Sequence, residues 1–423
     1  MALAGRIRFA RAVNPQIDSV GVECEKMSLE QEIAMSTCII GWSHSRFGRL
    51  EDETVESLVT KAARDALADA ELDAADVDEI IVGHFNAGLS NQDFSASLPM
   101  EIDPVLRFKP ASRVENACAT GSTAILHGSR AIAAKQARHV LVVGVEKMTH
   151  LSSAEVGPIL LKALHEPEQA NAGKMGFGGV FARVAQSYFQ TYGDQSEAIA
   201  RIAAKNHANG ARNPYAHVQK DLGYEFCRFE SDKNPMIEAP LKRTDCSMIT
   251  DGAAAVVLTD EATARSAKKA VRIRASSLVS DRLPVIGRDL LAFEGPREAW
   301  RRTLVQAEIN LSDLDFVETH DCFTIAELME YEAMGLTAQG RGAQAILEGW
   351  TQRDGKLPVN PSGGLKAKGH PIGATGVSMH VMTAMQLTGS AGDMQLEQPR
   401  MAGIFNMGGM AVANYCAILE PLK

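Results

Sequence analysis

The chain has 423 residues, 45% of them hydrophobic, 22% charged and 5% aromatic, which excludes extended disorder and suggests two to three globular units. A formal net charge of −9 argues against a protein built to coat nucleic acid or an anionic membrane. Seven widely spaced cysteines with no CxxC pair predict free thiols in a reducing compartment, and neither a disulfide scaffold nor a metal site.

Residues 1–34 carry three arginines before the first acid, Asp18, and no apolar run of the secretory kind. They read as a poorly ordered extension. The first strand is expected at residues 38–42 (CIIGW), a helix with apolar residues at helical spacing at 53–70, and a strand at 77–85. Residues 139–148 (HVLVVGVEKM) form the short continuous apolar run of a strand covered on both faces. Alternation of helix and strand predicts a layered α/β fold. Residues 70–84 align with residues 307–321 at a constant offset of 237 with four identities, which suggests two similar halves. Domain bounds follow as 35–266 and 267–423. Residues 151–240, with the Gly-rich GKMGFGG and two amphipathic helices, read as a loop domain inserted in the first half. The uncharged stretch 369–392 approaches the length of a membrane span, yet its histidines, glycines and proline place it inside the protein.

Four segments carry candidate chemistry. In VENACATGSTAILHGSRAIAAK, Cys118 stands at the start of a helix of small residues, where free amides and the helix dipole are expected to lower a thiol pKa. A small buried cysteine would look the same. In NPSGGLKAKGHPIGATG, a glycine turn and a Pro at a helix entrance project His370. In ETHDCF, His320 and Cys322 follow a strand, and strand alternation would point them the same way. In FNMGGMAVANYCAIL, Gly408 and Gly409 permit a close backbone approach to a ligand, or make a plain turn. A cysteine and a histidine on helix entrances in equivalent halves suit covalent acyl transfer.

The motifs NACATGS, HDCF, GHPIGATG, DCSMITDGAAAVVL and the terminal glycine turn resemble, in order and spacing, the thiolase superfamily, and within it the sterol carrier protein type thiolases and their bacterial relatives. The resemblance runs from about Met35 to the end. It implies a five-layered αβαβα fold of two duplicated halves with an inserted loop domain, and an acyl-CoA C-acyltransferase, acetyl-CoA acetyltransferase or 3-ketoacyl-CoA thiolase, of lipid metabolism. By that resemblance Cys118 is the acylated nucleophile and His370 its base. Cys322 is the second acid/base, His320 supports one oxyanion hole, and the amides of Cys118 and Gly408 make the other. Coenzyme A is a co-substrate, and no permanently bound cofactor is expected. The protein would be a cytoplasmic homodimer or homotetramer without nucleic-acid or membrane partners.

One departure stands out. Most thiolases carry a catalytic Cys in a CxG motif where this chain has Asn406, and the HDCF thiol of Cys322 is expected to replace it. Lys174, Arg183, Arg201 and Lys205 are candidates for the CoA phosphates by location alone. Two alternatives remain at this point: a carbon–carbon bond-forming or bond-cleaving relative with a small OB-fold and zinc-ribbon partner, and a non-catalytic acyl-CoA or lipid-binding protein of the same fold.

Overall fold

The computed structural model describes residues 37–170 and 176–422. The extension expected at 1–34 and Lys174 lie outside the described residues. Strands are β1 (Thr37–His44), β2 (Glu79–Gly83), β3 (Ala111–Val114), β4 (His139–Glu146), β5 (Met236–Glu238), β6 (Leu241–Lys242), β7 (Gly252–Asp260), β8 (Val271–Ser280), β9 (Phe316–Glu318), β10 (Ala402–Gly408) and β11 (Ala413–Pro421). The longer helices are α1 (Val55–Asp69), α2 (Thr120–Ala133), α3 (Phe177–Tyr192), α4 (Ser196–Gly210), α5 (Glu294–Ala307), α6 (Thr324–Ala333) and α7 (Ile372–Leu387).

Nine strands hydrogen-bond in the order β3-β2-β4-β7-β1-β8-β11-β10-β9. The first half runs parallel from β3 through β2 to β4, then antiparallel to β7 and β1. The second half repeats this: a parallel bridge from Val359 to Val317, β9 parallel to β10, then antiparallel β11 and β8. Each strand therefore has a counterpart, and the 237-residue offset superposes the start of β2 on the start of β9. Residues 37–39 of β1 pair with 271–273 of β8 and join the halves.

The apolar run of β4 is buried throughout because both faces are covered. Val140 and Val142 face a central core shared with Ile125 of α2, Val377 of α7 and Ile404 of β10. Leu141, Val143 and Val145 face α1. In the second half Tyr415 and Ala417 face the central core, whereas Cys416 and Ile418 face the outer helices around α5. The layers are thus α1, the first half-sheet, the pair α2 and α7, the second half-sheet, and α5. Small residues let the central pair approach: a Cβ on Gly376 would lie 2.1 Å from the Ser122 amide nitrogen. That contact explains the uncharged, glycine-rich character of both helix entrances.

Between β4 and β7 the chain adds α3, α4 and the β5–β6 hairpin. These pack on the second half: α4 lies against α6 and the turn at Gly364–Lys368, and α3 against α6. No helix among the described residues is long and apolar enough to cross a membrane, and the stretch at 369–392 is α7 with its flanks, buried in the central layer up to Leu387 and exposed at Gly389, Ser390 and Gly392.

Candidate active site

Cys118 and His370 occupy equivalent places in the two halves. Each lies two residues before its helix, α2 beginning at Thr120 and α7 at Ile372. Cys118 follows Ala117, whose φ of 48° is a left-handed conformation that a side chain rarely adopts and that turns the loop sharply. The turn is held by the Ala119 amide on the Asn116 carbonyl (3.1 Å) and the Asn116 amide on Thr120 Oγ1 (2.8 Å).

The thiol of Cys118 is half-buried on a cavity wall. Burial is the largest influence on it and pushes its pKa up to about 12; a hydrogen bond from the Gly409 amide opposes this, and Glu146 and Glu115 add to the rise. The structure thus corrects the expectation of a pKa lowered at the helix start, since desolvation outweighs the helix terminus. His370 is also buried. Desolvation, reinforced by the Lys368 charge, pulls its pKa down to about 3. Cys118 and His370 are therefore both neutral at physiological pH.

The hydrogen-bond pattern fixes the proton on His370. Thr375 Oγ1 donates its single proton to the Pro371 carbonyl (3.0 Å), so it accepts from His370 Nδ1 at 2.7 Å. Nε2 is left as the unprotonated, basic nitrogen. Sequence reading missed Thr375, although it lies in the same GATG turn.

His320 and Cys322 sit in the loop between β9, which ends at Glu318, and α6. Strand alternation does not reach them: Cys322 lines the cavity, whereas His320 is buried beside Cys118 and His370. One donor atom from each of Cys118, His320 and His370 falls within 4.8 Å of the others. The His320 and His370 rings meet edge to face with centroids 5.1 Å apart. Burial drives the Cys322 thiol well above the ordinary thiol range, with Cys118, Glu330 and Asp321 adding to the rise.

The loop is anchored from below by buried polar groups. Asp321 accepts from Asn206 Nδ2 (2.7 Å) and from the amides of Leu365 (2.6 Å) and Lys366 (3.2 Å), so it ties α4 and the glycine turn to the loop. Glu330 accepts from Thr319 Oγ1 (2.5 Å) and from the His320 amide. Glu146, at the end of β4, accepts from the amides of Phe85 (3.2 Å), Asn86 (3.1 Å) and Gly373 (3.0 Å) and so holds the entrance of α7.

Cys118, Cys322 and His370 line one cavity of about 560 Å³ with Gly409. Phe85, Met148, Val156, Phe177 and Phe181 make its walls largely apolar. Phe181 of α3 stacks on Phe323 at 4.3 Å, so α3 covers one side of the site. Gly408 lines an adjoining cleft instead, with Asn116, Ala117 and Arg113. Of the expected phosphate ligands, Lys205 is buried in an ion pair with Glu327 at 2.9 Å and is not available. Arg201 pairs with Glu197, and Arg183 is exposed on α3. The exposed cations on the cavity wall are Arg49 and Arg243, which sequence reading did not single out.

Comparison with known proteins agrees with this architecture. Residues 37–222 match the family description "Thiolase, N-terminal domain" and residues 279–421 match "Thiolase C-terminal domain-like". The chain is 35% identical to the acetyl-CoA acetyltransferase of Methanothermobacter thermautotrophicus over 88% of its own length and 96% of that protein's. It is 30% identical to human sterol carrier protein 2, over 88% of this chain and 69% of that one. Among solved structures it resembles human mitochondrial 3-ketoacyl-CoA thiolase in complex with CoA (TM-score 0.69, 17% identity, covering 92% of this chain and 99% of that one). It also resembles the Ltp2-ChsH2(DUF35) aldolase (TM-score 0.75, 20% identity, covering 91% and 97%). The chain belongs to the thiolase family. Within it, the chain is an acyltransferase of thiolase type.

Proposed function

We propose that this protein is an acetyl-CoA C-acyltransferase or 3-ketoacyl-CoA thiolase that works through an S-acyl intermediate on Cys118. The convergence of Cys118, Cys322 and His370 on one apolar cavity carries this reading. Because the thiol and imidazole are both neutral, proton transfer accompanies attack. His370 Nε2 takes the Cys118 proton as sulfur adds to the thioester carbonyl. The oxyanion is met by the amides of Cys118 and of the Gly408–Gly409 turn; the Gly409 N–H, already directed at Cys118 Sγ, favours Gly409 over Gly408 as that donor. Collapse expels the CoA thiolate, which regains the proton from His370.

In the second half-reaction Cys322 passes its thiol proton to His370, the resulting thiolate removes a proton from the α-carbon of a second acyl-CoA, and His320 stabilises the enolate oxygen. The carbanion attacks the acyl carbon and expels the Cys118 thiolate, which regains its proton from His370. Thiolysis is the same path reversed, with Cys322 returning the proton. Apolar walls suit the step, since an enolate needs a site that excludes water. Arg49 and Arg243 are the proposed contacts for the CoA phosphates. The bounds 35–266 and 267–423, with 151–240 as the covering segment, belong to the same proposal. So do a homodimeric or homotetrameric state and a cytoplasmic location.

Incubation with acetyl-CoA should add the mass of one acetyl group to the peptide bearing Cys118. The adduct should be absent from Cys118→Ser. If acetyl-CoA and longer acyl-CoAs all leave that peptide unmodified, the non-catalytic or partner-dependent alternative replaces this reading.

A further inference from the structure

We propose that Asn406 is a positioning residue that fixes the tautomer of His320, so that His320 presents Nε2–H as a donor to the enolate oxygen. Asn406 is buried in β10, and space for its amide exists because α7 has glycine at 376, where a Cβ would lie 2.7 Å from Asn406 Oδ1. Its amide orientation is settled by its neighbours. The Cys118 carbonyl can only accept, so the group 3.1 Å from it is Nδ2; on the other side Ser122 Oγ donates to Oδ1 at 2.8 Å. The second Nδ2 proton then points at His320 Nδ1, 2.8 Å away. Nδ1 must accept, and the ring's own proton resides on Nε2. One amide thereby holds the carbonyl of the nucleophile and selects the donor nitrogen of the neighbouring imidazole. This inference rests on the reading of Cys118 as the acylated residue and concerns the later, enolate step.

The groups facing His320 are the His370 ring, the Cys118 thiol and, from α6, Glu330, with Asp321 and Cys322 adjoining it in the loop. The structure gives His320 a pKa well below the ordinary value, through burial first and His370 second, so the ring is neutral and its tautomer matters.

Two variants and one spectrum test this. Long-range 1H–15N correlation on the histidine-labelled full-length protein, with His320 assigned by its loss in His320→Gln, should show the Nε2–H tautomer in the unaltered chain. In Asn406→Asp the carboxylate accepts from His320 Nδ1–H and strips Nε2 of its proton. Turnover at neutral pH should fall roughly 10²–10³-fold, the cost of one lost oxyanion donor. KM should change little, and activity should recover as pH falls and the ring becomes doubly protonated. Asn406→Leu frees the tautomer without imposing Nδ1–H and should lose a smaller factor, with recovery only at lower pH because no carboxylate favours the second proton. An Nδ1–H tautomer in the unaltered protein overturns the inference, whether or not the variants fold. So does unchanged turnover in Asn406→Leu, or an equal loss at every pH in Asn406→Asp. Failure of Cys118 to acylate, beside an Nε2–H signal, would instead refute the proposed function alone.

Discussion

A neutral Cys118 leaves a measurable signature in its reaction with iodoacetamide. At pH 7 an ordinary thiol of pKa 9.0 is about 10⁻² thiolate, whereas Cys118 with a pKa pushed up to about 12 is about 10⁻⁵ thiolate. The deficit is about 10³-fold. A more basic thiolate is intrinsically more nucleophilic, with a Brønsted coefficient near 0.4–0.5, which over three units returns about 20- to 30-fold. Cys118 in the free protein should therefore alkylate some 30- to 50-fold more slowly than a free thiol, after allowance for both effects. The logarithm of the rate should rise with unit slope through pH 9 without levelling. Acylation by a bound acyl-CoA should behave differently. His370, with a pKa near 3, and Cys118, near 12, both titrate outside the working range, so acylation should be flat from about pH 5 to about pH 9. The assay is peptide mass spectrometry of the Cys118 peptide over time at each pH. A plateau with an apparent pKa at or below about 7 would show a preformed thiolate–imidazolium pair and refute burial as the dominant influence.

Two further outcomes follow from the geometry. Cys322→Ser should still accumulate the acyl adduct on Cys118 while overall turnover drops by about 10²–10⁴-fold, the range for loss of a general acid–base; full turnover in that variant would remove Cys322 from the mechanism. Gly376→Ala places a methyl 2.1 Å from the Ser122 nitrogen, so the α2–α7 contact must open, at a cost of about 1–3 kcal/mol in a denaturant titration. An unchanged midpoint would show that the helices do not touch as described.

The sequence made the architecture legible wherever a local pattern maps onto one element. The run at 139–148 is β4, covered on both faces, and the offset of 237 aligns β2 with β9 because a similar acidic turn precedes each strand. The helical spacing at 53–70 is α1, whose start is set by the reciprocal Thr54–Ser57 cap. Cys118, Cys322 and His370 were legible as reactive types at element ends. What failed were properties summed over distant residues. Dipole reasoning sees the helix that follows Cys118, whereas the desolvation that raises its pKa comes from all the walls around it. Lys205 reads as a solvated cation on an amphipathic helix, and only the fold places Glu327 beside it. The proposal of Gly409 rather than Gly408 rests on the hydrogen bond of the Gly409 amide to Cys118, a matter of one position that spacing does not resolve.

Asn406 shows how a departure at one position can be accommodated by another. A thiol at 406 would lie beside Ser122 Oγ and the Cys118 carbonyl, and a sulfhydryl cannot donate to that carbonyl and to His320 Nδ1 together. With an amide there, both are satisfied, and the thiol proposed to transfer the proton is that of Cys322, on a loop that lines the cavity. That loop is rigid enough for the task because Asp321, between the histidine and the cysteine, is held by three buried donors from α4 and the glycine turn. Exchanging the residues singly, Asn406→Cys or Cys322→Asn, removes one half of this arrangement. The pair is therefore expected to be coupled, with the double exchange departing from the sum of the single effects by well over the ~0.5 kcal/mol seen for independent sites. Additive losses in that cycle would mean that the amide at 406 and the thiol at 322 serve separate ends.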